Sequence, residues 1–317
     1  MPDRPPADVR IKALRRFALS ITVFNVLGHV WLGFEQAYLT PVVGVLTAYL
    51  LEIVLETVDS SARGVRPRFA GPGTTLPDFL LPAHITGLAC AMLLYGNSSL
   101  WPTIFAVTVS MCSKYIVRMR IGRGHRHVLN PSNLGISLTL VLFPWIAIAP
   151  PYQFTEYAFG PVDWIIPAAI FAAGTMLNGK LTRRGPLIVG WLGGFVLQAV
   201  LRWLLLGDSL ASGLLVVTGV AFVLFTNYMI TDPGTTPTAP SRQVAFGVTA
   251  ALVYGALVAA HVTFGLFYAL VITCALRGLL IAGSRLREPA GETAVVSPRE
   301  AVPAEHGRPV AAGGGQA

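Results

Sequence analysis

Long apolar stretches, separated by short polar loops, run along almost the whole chain. A bilayer core about 30 Å thick is crossed by roughly 20 apolar residues in an α-helix. The pattern therefore predicts an all-α, polytopic membrane protein of about ten transmembrane helices. They lie near residues 17–34, 39–58, 78–95, 100–117, 132–150, 163–179, 186–206, 209–230, 243–260 and 263–283. Five helices in each half would allow two inverted five-helix halves.

Polar segments flank this region. Residues 1–16 form a basic segment, which we predict to be cytoplasmic, and residues 17–283 form the transmembrane domain. No small-residue cleavage site follows the first apolar stretch, so we expect an uncleaved first span instead of a signal peptide. Residues 284–317 mix Pro, Gly, Ala and charged residues without a period, which predicts a disordered cytoplasmic tail.

The composition agrees with lipid as the main solvent. Of the 317 residues, 54% are hydrophobic and 12% are charged, whereas soluble domains carry about 25% charged residues. So few charged side chains cannot cover the surface of a water-soluble protein of this length. We therefore expect membrane lipids to surround most of the helices.

Basic residues are concentrated in alternate loops. A formal charge of +8 would suit a nucleic-acid partner if it followed one face, but clusters between apolar stretches indicate membrane orientation instead. Because Lys and Arg are retained in the cytoplasm, both chain ends are predicted there, in a bacterial-type cytoplasmic membrane. The predicted cytoplasmic loops contain Arg63, Arg66, Arg68, Arg118, Arg120, Arg123, Arg126, Lys180, Arg183, Arg184, Arg242, Arg285 and Arg287.

A first polar cluster precedes the fifth apolar stretch. Asn130 is followed by Pro131, and Asn at the N-cap with Pro at the first helical position is a strong helix start. Asn130 and Asn133 share a helical face, and Gly135 permits close backbone approach. Together with Lys114 they could hold a polar or anionic ligand at the positive end of the helix dipole. The alternative is a capped helix whose neighbouring arginines only set the topology.

A second polar cluster ends the eighth apolar stretch. Asn227 and Thr231 lie one helical turn apart, and the Asp-Pro-Gly string at 232–234 is typical of a tight turn. The predicted topology places this cluster on the same side as Asn130, so we expect the two clusters to meet. A helix end with a simple turn is the alternative. Asn178, at the end of the sixth stretch, is interpreted as a helix C-cap.

The remaining chemically reactive side chains favour structural roles. The three cysteines lie inside apolar stretches without Cys-x-x-Cys spacing, which favours packing over a disulfide or a metal site. Three histidines lack partners at ligand spacing, so we expect no metal site: His29, His84 and His261. Two acidic residues lie well inside the apolar stretches: Glu52 and Glu56.

The order of three motifs resembles a known family. Ser-Lys-Tyr at 113–115 precedes an Arg-rich loop, Asn-Pro-x-x-x-Gly at 130–135 opens a span, and Thr-Asp-Pro-x-x-x-Pro at 231–237 precedes the last two spans. This order is similar to that of the integral-membrane D subunit of the Rnf electron-transport complex and the B subunit of the sodium-pumping NADH:quinone oxidoreductase. Within that superfamily, the chain looks most like UnbU-type proteins encoded beside enediyne biosynthesis genes.

The resemblance implies ten helices and two flavins, an FMN linked covalently to Thr on the outer side and a non-covalent riboflavin on the inner side. The covalent site uses Asp-x-x-Ser/Thr-Gly-Ala-Thr, and the nearest string here, at 232–238, lacks the Gly and the Ala. We therefore expect no covalent FMN, but a non-covalent flavin, riboflavin or FMN, on the inner side. Carried over onto this chain, the cofactor-binding residues are Lys114, Asn130, Asn133, Thr231 and Asp232.

The main functional hypothesis is therefore a flavin-binding electron-transfer subunit acting in enediyne-type natural-product biosynthesis. With no nicotinamide-binding fold, iron–sulfur cysteines or acid–base pair in the sequence, it would need redox or biosynthetic protein partners. One alternative is a small-molecule or ion transporter or channel, although such carriers commonly use more buried acidic residues than Glu52 and Glu56. A membrane scaffold for a biosynthetic complex is another. Whether the chain is itself an enzyme stays open.

Overall fold

The structure is a computed structural model that describes residues 7–71, 74–121, 124–150 and 160–286. Most of the predicted tail, and Arg123 and Arg287 of the predicted cytoplasmic loops, lie outside the described residues. Met1–Leu279 forms one compact unit. Leu280–Ala317 forms a second, of which only the end of the last helix is described.

Helices make up most of the described chain, as the sequence predicts. Each of the ten apolar stretches contains helix, and the eighth contains two shorter helices. The mainly helical class is therefore confirmed. The helices are α1 (Ala7–Val30), α2 (Leu39–Ala62), α3 (Leu76–Leu93), α4 (Trp101–Ile116), α5 (Pro131–Leu142), α6 (Val162–Met176), α7 (Gly185–Leu206), α8 (Leu210–Leu215), α9 (Val220–Leu224), α10 (Pro240–Ala259) and α11 (Gly265–Leu286).

Among the described residues, fewer than ten helices are individually long and apolar enough to span a bilayer, so the predicted ten spans and two inverted halves are not confirmed. Within the described residues, five helices are long and apolar enough to cross a bilayer: Leu39–Ala62, Leu76–Leu93, Gly185–Leu206, Pro240–Ala259 and Gly265–Ser284. A sixth candidate is the pair Leu210–Thr218 and Val220–Met229, bent by 66°. By contrast, α4 has 16 residues and α5 has 12, fewer than the roughly 20 of a simple span. The protein is thus a multi-pass membrane protein.

The surface of α2 shows why lipid is its solvent. One face exposes large apolar side chains at four-residue spacing: Val42, Leu46, Leu50, Val54 and Val58. Another face is buried and carries small or polar residues: Thr40, Gly44, Ala48, Glu52, Glu56 and Ser60. In water the two faces would be reversed, because apolar surface is driven inward. The helix therefore faces hydrocarbon with its apolar side and the protein with its polar side.

Two short antiparallel strand pairs interrupt the helices, which the all-helical prediction did not include. β1 (Leu94–Tyr95) pairs with β4 (Ala147–Ile148), and β2 (Arg118–Ile121) pairs with β3 (Gly124–His127). The β2–β3 hairpin lies between α4 and α5, in the segment that was predicted to be a basic loop. It places His127 three residues before the start of α5 at Asn130.

Small residues bring the helices into close contact. Gly135 of α5 lies against the carbonyl oxygen of Ala106 on α4, and Gly247 of α10 lies against the backbone of α7 beside Trp191. Such contacts are typical of helix pairs in membranes, where small residues allow the backbones to approach. The indole ring of Trp191 stacks on Phe222 at a centroid distance of 5.7 Å. These contacts pack α4 against α5, and α7 against α9 and α10.

Helix α5 begins beside the middle of α11 and not at its end. The side-chain amide of Asn133 donates to the carbonyl oxygen of Phe267 at 2.9 Å, and Val128 lies against Gly278. The eleven helical steps from residue 267 to residue 278 rise about 16 Å at 1.5 Å per step. Residues 128–133 thus run antiparallel to α11, and Asn130, which caps α5, lies inside the protein.

Candidate functional site

The two polar clusters of the sequence meet at the start of α5. Asn130 caps this helix, because its Oδ1 accepts hydrogen bonds from the backbone N–H of Asn133 at 3.2 Å and the hydroxyl of Ser132 at 3.1 Å. Its Nδ2 donates to the carbonyl oxygen of Met229 at 3.2 Å. Met229 ends a π-helical turn, Phe225–Met229, that continues α9. We call residues 130–133 and 226–232 the polar junction.

Buried amide and hydroxyl groups hold the polar junction together. Asn133 is fully buried, at 0% exposure, and its amide nitrogen is bound to α11. Its Oδ1 has no hydrogen-bond partner within the described part of the chain. The hydroxyl of Thr231 donates to the carbonyl oxygen of Asn227 at 2.7 Å. Most polar side chains of the junction therefore form hydrogen bonds with main-chain groups, and one buried acceptor, the Oδ1 of Asn133, has no such bond.

Asp232 is a partly exposed carboxylate at the edge of the polar junction. It accepts from the backbone N–H of Gly234 and from the hydroxyl of Thr235, both at 3.0 Å. The Nε2 atom of His127 lies 3.6 Å from its Oδ2. Burial raises the pKa of Asp232, but His127 and the two hydrogen bonds lower it further than burial raises it. The pKa of Asp232 therefore lies below its ordinary value, and the group is an anion at neutral pH.

Two arginines support the turn that follows Asp232. Arg184 is only 4% exposed, and its guanidinium group donates to the carbonyl oxygens of Pro237 and Pro233. Arg277 donates to the carbonyl oxygen of Thr235 at 2.9 Å. Burial lowers the pKa of Arg184 to about 10, although the charge of Asp232 opposes the change. From the sequence, Arg184 was expected only to set membrane orientation, whereas the structure places it inside the protein.

Asn178 and Thr226 extend the buried polar region. The predicted C-cap at Asn178 is wrong, because Asn178 lies inside a π-helical turn, Leu177–Thr182, that continues α6 and is followed by a left-handed residue at Arg183. Its side-chain amide donates to the carbonyl oxygen of Asn227 at 2.7 Å and so joins a distant segment. The hydroxyl of Thr226 accepts from the indole N–H of Trp191 at 2.9 Å. Neither contact was predicted, because nothing in the local spacing indicates a partner 49 or 35 residues away. The available signal was that a polar side chain inside an apolar stretch needs a hydrogen-bond partner elsewhere in the protein.

Lys114 makes its ion pair with another helix. Its ammonium group donates to both carboxylate oxygens of Glu52, at 2.6 and 2.7 Å. Nearby, Arg68 donates to Glu56 at 2.6 Å, and hydrogen bonding to this carboxylate raises the pKa of Arg68. The hydroxyl of Tyr115 donates to Glu56 at 3.3 Å. We call these five residues the charged cluster. The five predicted cofactor-binding residues therefore divide, with four at the polar junction and Lys114 in the charged cluster.

Other features of the described residues lie apart from the polar junction. No group of three or more His, Cys, Asp or Glu side chains that could hold a metal ion occurs in the described ranges. A cavity of about 510 Å³ opens beside the end of α5, with Val141, His261 and Tyr268 among its lining residues. None of the five predicted cofactor-binding residues lines this cavity.

Sequence comparison finds no family model that matches the chain and no curated protein that matches it significantly. The similarity to the Rnf D subunit therefore rests on the order of the three motifs.

Proposed function

We propose that the chain is a membrane redox subunit, similar to the Rnf D subunit, that binds a non-covalent flavin at the polar junction and exchanges electrons with a protein partner. The contact between Asn130 and Met229 is the observation that carries this proposal. It joins two polar segments that lie 99 residues apart in sequence, inside a protein that exposes apolar surface. Polar groups at such depth are costly and commonly mark functional sites in membrane proteins.

The donor and acceptor pattern of the junction fits a flavin ring. An isoalloxazine edge offers N–H donors and carbonyl acceptors, and the unpartnered Oδ1 of Asn133 is a buried acceptor for such a donor. The partly exposed Asp232 is a second acceptor. Arg184 and Arg277 place positive charge beside the turn, which would stabilise a reduced, anionic flavin. When bound, the flavin would supply the one- and two-electron chemistry, and the side chains would bind and orient it.

The proposal includes the finer topology of ten spans with both ends in the cytoplasm. In this arrangement the short helices α4, α5 and α6 cross the membrane together with the irregular segments beside them, as broken helices do in other membrane proteins. The end that carries Arg68, Arg118 and Arg184 then faces the cytoplasm. The electron donor and acceptor are separate redox or biosynthetic proteins, and the similarity to UnbU-type proteins favours a natural-product pathway as the context.

Flavin content is the direct test. We expect the full chain, purified in mild detergent from a riboflavin-sufficient host, to show flavin absorption near equimolar with protein. The flavin should be released by denaturation, since no covalent attachment string is present. Asp232→Asn should weaken binding by roughly tenfold or more, because hydrogen bonds to charged groups contribute about 1.5–3 kcal/mol.

Asp208→Asn is the matched control. Asp208 is, like Asp232, a partly exposed carboxylate with a cationic side chain beside it, in this case Arg202, but it lies between α7 and α8, away from the junction. We expect it to retain the wild-type flavin content. A wild-type protein that is folded, monodisperse and colourless would refute flavin binding, and equal flavin loss in both variants would refute the assignment to the junction.

A further inference from the structure

Besides the polar junction, a second series of buried polar groups runs through α1, α2, α3 and α4. It has three parts. The first is the charged cluster. The second, which we call the central triad, consists of Thr22, Tyr49 and His84. The third, which we call the amide–histidine cluster, consists of Asn25, His29 and Gln36. The second and third parts lie outside both the three sequence motifs and the polar junction.

The central triad crosses three helices near their midpoints. His84 lies halfway along α3, and its ring contacts Thr22 of α1 and Tyr49 of α2, each at 2.8 Å. The hydroxyl of Thr22 donates to the carbonyl oxygen of Ala18, so it accepts from Nε2–H of His84. The Nδ1 atom of the neutral ring then accepts from the hydroxyl of Tyr49. The triad is thus an ordered donor chain from Tyr49 through His84 to Thr22.

The charged cluster leads from the arginine-rich end of the helices into the interior. The side chain of Arg68 is 60% exposed, whereas that of Glu56, to which it donates, is 4% exposed. Glu52 follows one helical turn deeper on α2 at 1% exposure. Tyr49 lies three residues further along the same helix, and residues three apart are neighbours on a helix surface. The carboxylates therefore approach the central triad from one side.

The amide–histidine cluster continues the series toward the other end of α1. Asn25 lies three residues after Thr22, and its main-chain carbonyl oxygen accepts from Nδ1 of His29 at 2.8 Å. Gln36 donates to the carbonyl oxygen of Leu94 at 2.8 Å. Three buried acceptors have no partner within the described part of the chain: Asn25 Oδ1, His29 Nε2 and Gln36 Oε1. Buried acceptors of this kind are normally satisfied by ordered water.

We propose that these three parts form a proton path through α1–α4, with water at the amide–histidine cluster and at the two one-turn steps beside the central triad. A proton enters at one end, and each hydroxyl, imidazole or carboxylate accepts one proton as it releases another to the next group. Rotation of the O–H groups and the imidazole restores the starting state. The net change is the movement of one proton, and no group is oxidised or reduced.

The chemistry of the path favours protons over metal cations. Tyr, Thr and His side chains can each donate and accept, as proton relay requires. The ammonium of Lys114 and the guanidinium of Arg68 would repel a metal cation at the charged cluster. Close packing leaves little width beside the path, because Gly44 of α2 lies against the backbone of Gly87 on α3. The path does not depend on flavin binding, because its residues are separate from those of the polar junction.

Proton flux in proteoliposomes tests the proposal. The full chain is reconstituted into K⁺-loaded liposomes containing a pH-sensitive dye, and valinomycin sets an inside-negative potential. We expect the lumen to acidify faster than in protein-free liposomes. Tyr49→Phe and Thr22→Val each remove one hydroxyl at nearly constant volume, and each should lower the protein-dependent rate at least tenfold. Tyr254→Phe, a buried tyrosine on α10, is the matched control and should keep the wild-type rate.

Three results would overturn the proton path: a wild-type rate equal to that of empty liposomes, variants at the triad that conduct like wild type, or an equal loss in Tyr254→Phe. Thermal unfolding of each preparation checks that Tyr49→Phe and Thr22→Val remain folded, and either variant alone suffices. Flavin content is measured on the same samples. A colourless protein that conducts protons would refute only the flavin proposal, and a yellow protein without flux would refute only the path.

Discussion

At the scale of single residues, the ion pair between Glu52 and Lys114 carries the clearest energetic consequence. Moving two charges out of water is expensive, and their attraction repays this cost only while both are present. Glu52 is 1% exposed and Lys114 is 18% exposed at the side chain, so neither can be solvated well alone. Arg68 lies 3.8 Å from Glu52 but is already bonded to Glu56.

Breaking this pair from one side should be costly, and removing both charges should not. We expect Glu52→Gln to lower the free energy of unfolding by about 3–5 kcal/mol, because a buried charge is left uncompensated. Lys114→Gln should do the same, and the double variant should recover most of the loss. Unfolding in mixed detergent micelles measures all three proteins. Additive losses in the double variant would contradict the argument, and the exposed-acid variant Glu35→Gln provides the baseline.

Ionisation of Asp232 should make the free energy of unfolding depend on pH. Its pKa is lowered in the folded protein, so its ionised form contributes stability above its unfolded pKa of about 3.9, and this contribution is lost as pH falls through the folded value. Between about pH 4.5 and pH 3, wild type should therefore lose stability more steeply than Asp232→Asn. Thermal unfolding over this range gives both slopes. The Asp208→Asn control should follow wild type, and identical slopes for wild type and Asp232→Asn would contradict the prediction.

At the scale of helices, the position of α5 depends on one close approach. A Cβ atom on Gly135 would lie 2.1 Å from both the carbonyl oxygen of Ala106 and the hydroxyl of Ser110. Because the carbonyl belongs to the α4 backbone, it cannot move without displacing that helix. Asn130 and Asn133 are carried by α5, so the polar junction shares this constraint.

We expect Gly135→Ala to lower the free energy of unfolding by at least about 2 kcal/mol, since overpacking a close contact forces the helices apart. Gly193→Ala in α7 is the matched control. Nothing lies within 4 Å of its Cβ position, and Ala is the better helix former by about 1 kcal/mol, so stability should be unchanged or higher. Equal stability of the two variants would show that α4 and α5 do not pack as described.

The helices also show which parts of the structure local sequence can predict. Each of the ten stretches identified by hydropathy contains helix. The cap at Asn130 was predicted correctly because the Asn-Pro signal lies next to the helix that it starts. The break of the eighth stretch at Gly219 and the end of α5 at Leu142 were missed, since an apolar run does not reveal where its helix bends or stops.

The hydrogen-bond and ion-pair partners of the buried charged side chains were also not predicted, and this has a physical cause. Lys114 forms an ion pair with Glu52, and Arg184 donates hydrogen bonds to two carbonyl oxygens of a proline-rich turn. Both choices join segments about 50 or more residues apart, so they depend on which helices pack together. The meeting of the Asn-Pro and Thr-Asp-Pro segments was anticipated from the alternation of basic loops, and Asn130 does contact Met229. Alternation predicts a shared side, but it cannot predict individual contacts.

At the scale of the whole molecule, lipid exposure and the polar interior are two consequences of one composition. Helices that keep apolar side chains on their surface have few left for the interior, which on α2 holds glycine, alanine, threonine, serine and two carboxylates. Each buried polar group then needs a partner from another helix. The polar junction and the proposed proton path both lie where these partners accumulate.

The number of spans decides how these sites face the two compartments, and two serines can count them. Ser98 follows α3 and Ser209 follows α7, and both are exposed. If all ten stretches cross, four spans separate the two serines, and both lie on the same side. If only the helices of spanning length cross, α7 alone separates them, and they lie on opposite sides. Retention of basic loops in the cytoplasm favours the first arrangement.

We therefore expect Ser98→Cys and Ser209→Cys, in a background with the three native cysteines replaced by Ala, to react with an impermeant maleimide in intact cells. Ser61→Cys, near the end of α2, should react only after the membrane is permeabilised, because a single span separates it from Ser98 in either arrangement. If Ser98→Cys but not Ser209→Cys reacts in intact cells, the number of spans between the two positions is odd. The arginine at 184 and those at 63 and 68 would then face opposite compartments, and the ten-span topology would be wrong.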